Sequence, residues 1–458
     1  MRPNTLLFFL SVTALAACGS DKEDTESQDD GISDDTSDTG DTDDTGDTGD
    51  SGDTGDTGEA PLSCDTPVWL SGDFAPDAAS VGDICAEGNA IEGDLLLSGS
   101  DLTDDLLAGL DCLCEVGGVL QVTDTGLTSM NGLSSLSSTG GLEVVGNARL
   151  ETLDGLDALA TVDGPVLLSQ NPEMLRIEGL TSLQTTGAVS VVDLPLVNLR
   201  GLESLVTVGG DLVLDQLPAL ESMQGLSSLD FVDGNFSVTN TGSHDFSGLD
   251  SIRRVRAALV LMDSSASLAG LDALATVGGT VRLERVDRLR DLNGLTGLAE
   301  IGGHLRIEDA PTLNSLSGMT ALRTISGSLW LERTNVGSLA PLQTTLAVGG
   351  LRLDTNPELV STAGMPPVIG LSELVLHWNT SLGELTGLDS VRTIDGDLAI
   401  NGHVQLDSVV ELMEVEAVGG NFSVQNNTLL SDADGEALRD AIGSENIGGT
   451  ITIGGNGG

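Results

Sequence analysis

The chain is poor in positive charge and in aromatic rings. Among its 458 residues there is no tyrosine, aromatic residues make up 2 %, and the single lysine is Lys22. Lysine and arginine together number 18 against 71 aspartates and glutamates, for a formal net charge of −53. Recognition of nucleic-acid phosphates requires clustered positive charge, and so acidic a chain does not bind nucleic acid through its net field. Long apolar runs are missing too: Leu6-Leu7-Phe8-Phe9-Leu10, near the N-terminus, is too short to span a bilayer. No Ser-His-Asp arrangement, phosphate-cradling glycine loop or nucleotide fingerprint stands out, and the histidines His244, His304, His377 and His403 make no visible metal set. What the chain has instead is glycine, 60 residues of it, and a period.

The unit Val208-Gly209-Gly210-Asp211-Leu212-Val213-Leu214 returns about every 23 residues, which argues for one elongated array rather than several average domains. The glycine before each x-Leu-x-Leu serves as a marker. The marker position falls at Gly93, Gly118, Gly140, Gly164, Gly187, Gly210, Gly234, Ala257, Gly279, Gly303, Gly327, Gly349, Ser372, Gly396 and Gly420, with alanine and serine standing in twice. Each marker opens a short strand whose alternate residues, such as Leu212 with Leu214 or Leu398 with Ile400, point to one side and stack coil upon coil. Glycine at the marker is expected to permit a tight corner. Asn147, Asn171, Asn356, Asn379 and Asn427 fall in one column of the following turn, where their side chains can bond neighbouring backbone as a structural ladder.

So short a period leaves little room for helices, and the expected fold is an all-β solenoid of about 15 coils. At about 4.8 Å per coil it should be roughly 70 Å long. The spacing of Ala437, Leu438, Ala441 and Ile442 predicts a short helix, followed by a last strand at Gly449-Thr450-Ile451-Thr452-Ile453; together these make residues 431–458 a C-terminal cap on repeats spanning 118–430.

Ahead of the array, residues 1–17 carry Arg2, the apolar run and a small-residue end, as a secretory signal does. Leu15-Ala16-Ala17-Cys18 resembles the lipobox of bacterial lipoproteins. That resemblance implies a lipoprotein signal peptide, cleavage before Cys18, acylation of that residue and stable attachment to a membrane; Gly19 after the cysteine implies the outer membrane. The other reading is an ordinary cleaved signal with Cys18 incidental. Residues 18–60 are Asp, Thr, Ser and Gly with almost nothing apolar to bury, so they are expected to form a disordered, self-repelling acidic tether.

Cys64, Cys85, Cys112 and Cys114 cluster at the start of the array, in residues 61–117. In a chain that has left the cytoplasm disulfides are the default, with three connectivities open, and here they would staple the N-terminal cap over the first coil. Cys112-x-Cys114 has no Cys-x-x-Cys pair or nearby histidine to complete a tetrahedral metal set, so no metal is expected. Nor is a cofactor.

With Gly201-Leu202-Glu203-Ser204-Leu205, the unit at Val208–Leu214 resembles receptor L-domain repeats, found in insulin- and EGF-receptor ectodomains and in fungal cell-wall glycoproteins. True leucine-rich repeats place a leucine two residues after the asparagine; here the interval is usually three, as in Asn147-Ala148-Arg149-Leu150. The resemblance covers nearly all of residues 85–458. It implies a right-handed β-helix that displays an extended binding surface and carries no enzymatic residues. The cysteine-rich modules of receptors are missing, so growth-factor binding does not carry over.

Outward strand positions stack into columns, and one change of character interrupts them. Arg282, Arg306, Trp330 and Arg352 fall in one column, and Glu284, Glu308, Glu332, Asp354 and His377 in the next. One reading is a surface ion-pair ladder. The other is a ligand face, in which arginine forks take carboxylates or phosphates and Trp330 offers a stacking platform. A basic cluster of Arg253, Arg254, Arg256, Arg285, Arg288 and Arg290 lies beside it. The expected function is that of a cell-envelope lipoprotein displaying a solenoid for non-enzymatic binding or adhesion to a protein or glycan. The alternatives are a passive structural component and a polysaccharide-active β-helix enzyme. For the last, Glu308 and Glu332 could approach the separation of a retaining pair, but a wet, arginine-paired face has no evident means of raising one pKa.

Overall fold

In Leu212–Leu217, Leu212 and Leu214 are buried while Val213 and Asp215 face outward, the alternation a pleated strand imposes. The strand pairs in parallel with Val189–Val192 on one side and Phe236–Thr241 on the other, in a register that sets Leu214 against Val191 and Val238. Like residues therefore stack on like, and the apolar side of each strand continues into the next coil. This computed structural model describes residues 62–264 and 266–458; the signal peptide read over 1–17, the lipidation site Cys18 and the tether over 18–60 lie outside the described residues.

Beyond the strand the inward positions come every third residue: Leu217, Leu220, Met223, Leu226 and Leu229, all buried. The spacing changes because the chain is now turning, and the Leu-x-x-Leu that ends a coil is closed by a backbone bond such as Leu205 N–H to the carbonyl of Leu202, 3.0 Å. A short second strand, Thr207–Val208 or Phe231–Val232, then leads back to the next marker. The product is a parallel β-solenoid of about 15 turns with one continuous apolar stack inside.

The marker glycines serve a purpose other than the corner expected of them. Their φ angles are not in the left-handed region; instead a Cβ on Gly234 would lie 2.6 Å from the backbone carbon of Gly210, and one on Gly303 would lie 2.8 Å from that of Gly279. Close approach of successive coils is what excludes a side chain there. Left-handed glycines recur instead in Gly-Leu-x-x-Leu, as at Gly201 and Gly225, both at φ 113°.

Polar ladders hold the turns. Asn356 is fully buried: its Oδ1 accepts from Thr334 N–H at 3.1 Å and from the Thr334 hydroxyl at 2.6 Å, and its Nδ2 donates to the Leu331 carbonyl at 3.0 Å. Asn147, Asn171, Asn379 and Asn427 repeat the pattern, as the sequence led us to expect. A second ladder occupies the position after the marker, where Asp94, Asp211 and Asp397 each accept the N–H of their counterpart one coil on.

Of the three possible connectivities, the disulfides adopt Cys64–Cys114 and Cys85–Cys112, beside the short helices Ile84–Glu87 and Asp104–Leu107. At the other end the helix Asp432–Ile442 begins at a capping box between Ser431 and Asp434 and buries Leu438 and Ile442. The strand Ile451–Gly454 pairs with Phe422–Gln425 and closes the described array. Among the described residues no helix is long and apolar enough to cross a membrane.

Candidate functional site

The outward columns are built as the spacing implied. Arg282 pairs in register with Arg306, Arg306 with Trp330 and Trp330 with Arg352; two residues on, Glu284, Glu308, Glu332 and Asp354 form the adjoining column, followed by His377. The eight candidate residues thus share one face over four consecutive strands.

Stacked guanidinium groups repel one another, and the second column compensates. Glu308 lies 2.6 Å from Arg306, Glu284 pairs with both Arg282 and Arg285, and Glu332 pairs with Arg333. Glu284 and Glu308 are themselves buried, so their charges are sustained only by these partners. Arg352 turns instead to Glu373 at 3.7 Å, and Glu373 is fixed by the Ser328 hydroxyl at 2.8 Å. The Nε atoms of Arg282, Arg306 and Arg352 are buried with no hydrogen-bond partner among the described residues. Roughly a third of each of these arginine side chains is exposed.

Trp330 is not the open platform that the ligand-face reading supposes. The guanidinium of Arg306 sits 3.8 Å from its ring centroid and that of Arg352 sits 4.6 Å away, while its Nε1–H donates to Glu332 at 3.1 Å. Its immediate neighbours along the column are both arginines, so its ring is already taken up by cation–π contacts.

A third charged column was not foreseen. One residue beyond the acids the backbone turns left-handed, with Asp263 at φ 49°, Arg285 at 52°, Asp309 at 50° and Arg333 at 53°. Arg285 forks onto Asp263 at 2.6 and 2.8 Å, and Arg333 forks onto Asp309. These hydrogen bonds hold both aspartates below the usual carboxylate range and raise both arginines. Beside the column lies a cleft of about 620 Å³ lined by Asp263, Arg285, Asp287, Asp309, Pro311 and Arg333. The signal in the sequence was the alternation of sign one position after the acidic column.

The basic cluster does not gather into one site. Arg253, Arg254 and Arg256 precede the strand Leu259–Ser264, whereas Arg285, Arg288 and Arg290 follow the strand residues 281–284 one coil later, so the main sheet lies between the two groups. Arg253 and Arg256 pair with Asp230 at 3.6 Å and Asp233 at 2.8 Å, and Arg254 lies 6.0 Å from the ring of Phe231.

No protein-family model and no curated protein matches the chain. The site must therefore be read from its own chemistry. It is a belt of fixed, paired charge on an otherwise nearly neutral sheet face, bordered by a cleft at the turn. At its far end His377 faces Asp354 at 3.6 Å and Asn401 at 3.2 Å, and burial pushes its imidazole down against the pull of Asp354.

Proposed function

We propose that the chain is a cell-envelope lipoprotein, anchored through Cys18 in the outer membrane, that displays a solenoid of receptor L-domain type for non-enzymatic binding of a protein or glycan. The observation that carries this reading is the confinement of the charged belt to the strands between Val281 and Asp354. Scaffolding alone does not require it, since Ser237, Val260, Val375 and Ala399 occupy the same column elsewhere. Guanidinium and carboxylate groups that are already ordered bind with little further loss of side-chain freedom, which favours a partner of mixed charge or one rich in hydroxyls.

The internal pairing of the belt favours a second reading, a passive envelope spacer whose charges answer one another. Screening the full chain against glycans and envelope proteins separates the two. A saturable ligand lost in Arg306→Gln/Arg352→Gln supports display for binding. No ligand supports the spacer, and released sugar fragments would point to a polysaccharide-active enzyme.

A further inference from the structure

One backbone ladder runs along the second face of the solenoid. Asp230 N–H donates to the carbonyl of Val206, Arg253 to Asp230, Ala275 to Arg253, Ala299 to Ala275, Arg323 to Ala299 and Leu346 to Arg323; it resumes with Arg392 to Ile369 and Glu416 to Arg392. Between Leu346 and Ile369 the bond is missing. Among the described residues this is the only interruption from Cys114 to Glu416, and it leaves the strands Gly370–Leu371, Thr393–Ile394 and Ala417–Val418 as a sheet of their own.

The cause is in the sequence. Elsewhere the step before this ladder is a Leu-x-x-Leu turn closed by a bond between its first carbonyl and its fourth N–H, as at Leu202–Leu205 and Leu226–Leu229. Here the segment is Met365-Pro366-Pro367-Val368, and no such bond joins Val368 to Met365. Proline at the third position of the turn drives the residue before it out of the helical region, so the turn cannot close. The chain swings away and the coils part, although the main strands remain paired at Leu351 and Leu374.

The parting leaves a cleft of about 450 Å³, with Val348 and Val368 in its lining and Leu346 and Ile369 at its mouth, each 71 % exposed. No other large apolar side chain among the described residues is as exposed. Along the same column the next residues on either side are Arg323 and Arg392. Neither forms an ion pair among the described residues; Arg323 reaches the carbonyl of Leu322, and Arg392 those of Asp389 and Val391. Glu416, one coil past Arg392, does not pair with it.

The order Arg, Leu, Ile, Arg has a definite length. Two hydrogen-bonded coil steps of about 4.8 Å and the unbonded step between them, at least as wide, put the two arginines at least about 14 Å apart, a span their long side chains can adjust. An extended peptide rises about 3.3 Å per residue and turns alternate side chains to one side, so residues i and i+4 are about 13 Å apart with i+2 between them on the same face. We infer that this break docks an extended acidic peptide of pattern acid-x-apolar-x-acid lying along the solenoid axis. Its carboxylates meet Arg323 and Arg392, and its central side chain enters the cleft between Leu346 and Ile369. The surface is separate from the charged belt, and the inference does not depend on the proposed function.

The test is fluorescence anisotropy of a labelled peptide, Ser-Glu-Thr-Leu-Thr-Glu-Ser, titrated with the full chain. Saturable binding is expected, weakened at least about tenfold when the peptide's leucine becomes serine and in Arg323→Gln/Arg392→Gln. Pro366→Glu/Pro367→Ser, which copies Glu203-Ser204 of an ordinary turn, should close the ladder and remove binding with thermal stability kept or raised. Absence of saturation up to about 1 mM overturns the inference, as does binding that survives either double substitution. If laurate binds this cleft and the peptide does not, the site belongs to an apolar anion and the peptide assignment fails.

Discussion

Replacing Trp330 by alanine removes the centre of the charged belt, and the cost can be worked out from its contacts. Two guanidinium groups lie 3.8 and 4.6 Å from the ring centroid; at a partly buried site each such contact contributes about 0.5–1 kcal/mol. The indole N–H to the Glu332 carboxylate adds about 1–1.5 kcal/mol. With the ring gone, Arg306 and Arg352 face each other two coils apart, a repulsion of about 0.5 kcal/mol in wet surroundings. The sum is about 2.5–4 kcal/mol. In a stacked array such a loss is felt mainly by adjoining coils, so the assay is hydrogen exchange of the strand Thr324–Thr334. Its amides should exchange at least about seventyfold faster in Trp330→Ala. A double-mutant cycle with Arg306→Gln should give a coupling of about 0.5–1 kcal/mol. Exchange within about twofold of the parent, or strictly additive single effects, would refute the reasoning.

Three further outcomes follow from the ladders and the third charged column. Asn356→Ala strands Thr334 N–H and the Leu331 carbonyl in a dry interior, and urea unfolding should show a loss of about 3–5 kcal/mol. His403 takes the place of Asn in that ladder, with its two ring nitrogens 3.1 Å from the carbonyls of Asn379 and Leu376, and burial holds its imidazole below the ordinary 6.5. A neutral ring has one N–H for two acceptors. Because the unfolded chain then binds the proton more readily, stability should fall as pH drops below 6.5, and a thermal-unfolding series should find that slope reduced in His403→Asn. Asp309, held below 3.8 by Arg333, contributes stability that is present above 3.8 and lost as pH falls through its lowered value. Arg333→Gln should therefore lower the melting temperature above pH 3.8 and leave it little changed at the acid end, so that the acid limb flattens.

The architecture was legible because one signal repeats. Leu212 and Leu214 set the strand and its buried side, the column of asparagines set the turn, and the spacing of Leu438 and Ile442 set the terminal helix. Each depends on periodicity and local chemistry, which a sequence displays directly. The belt was legible as to residues: Arg282, Arg306, Trp330 and Arg352 do adjoin Glu284, Glu308, Glu332 and Asp354. What they do to one another was not, because ring faces are assigned by side-chain packing. Trp330 spends its faces on its own neighbours. Asp263, Asp309 and Arg333 escaped notice, and Arg285 was assigned to a basic cluster instead, because a left-handed residue leaves the strand's two-residue alternation and points where no strand pattern places it. The disulfide pairing needed distances. The parting of the coils at Leu346 and Ile369, by contrast, was written in Pro366-Pro367, an exception visible only against the turns that the other coils form.

The functional account rests most directly on where the solenoid is held. Growth with labelled palmitate, followed by membrane fractionation of the parent chain and of Cys18→Ala, measures this. The account predicts label in the parent chain, none in the variant, and release of the variant from the membrane fraction. An unlabelled parent, or a variant that stays with the membrane, would contradict it.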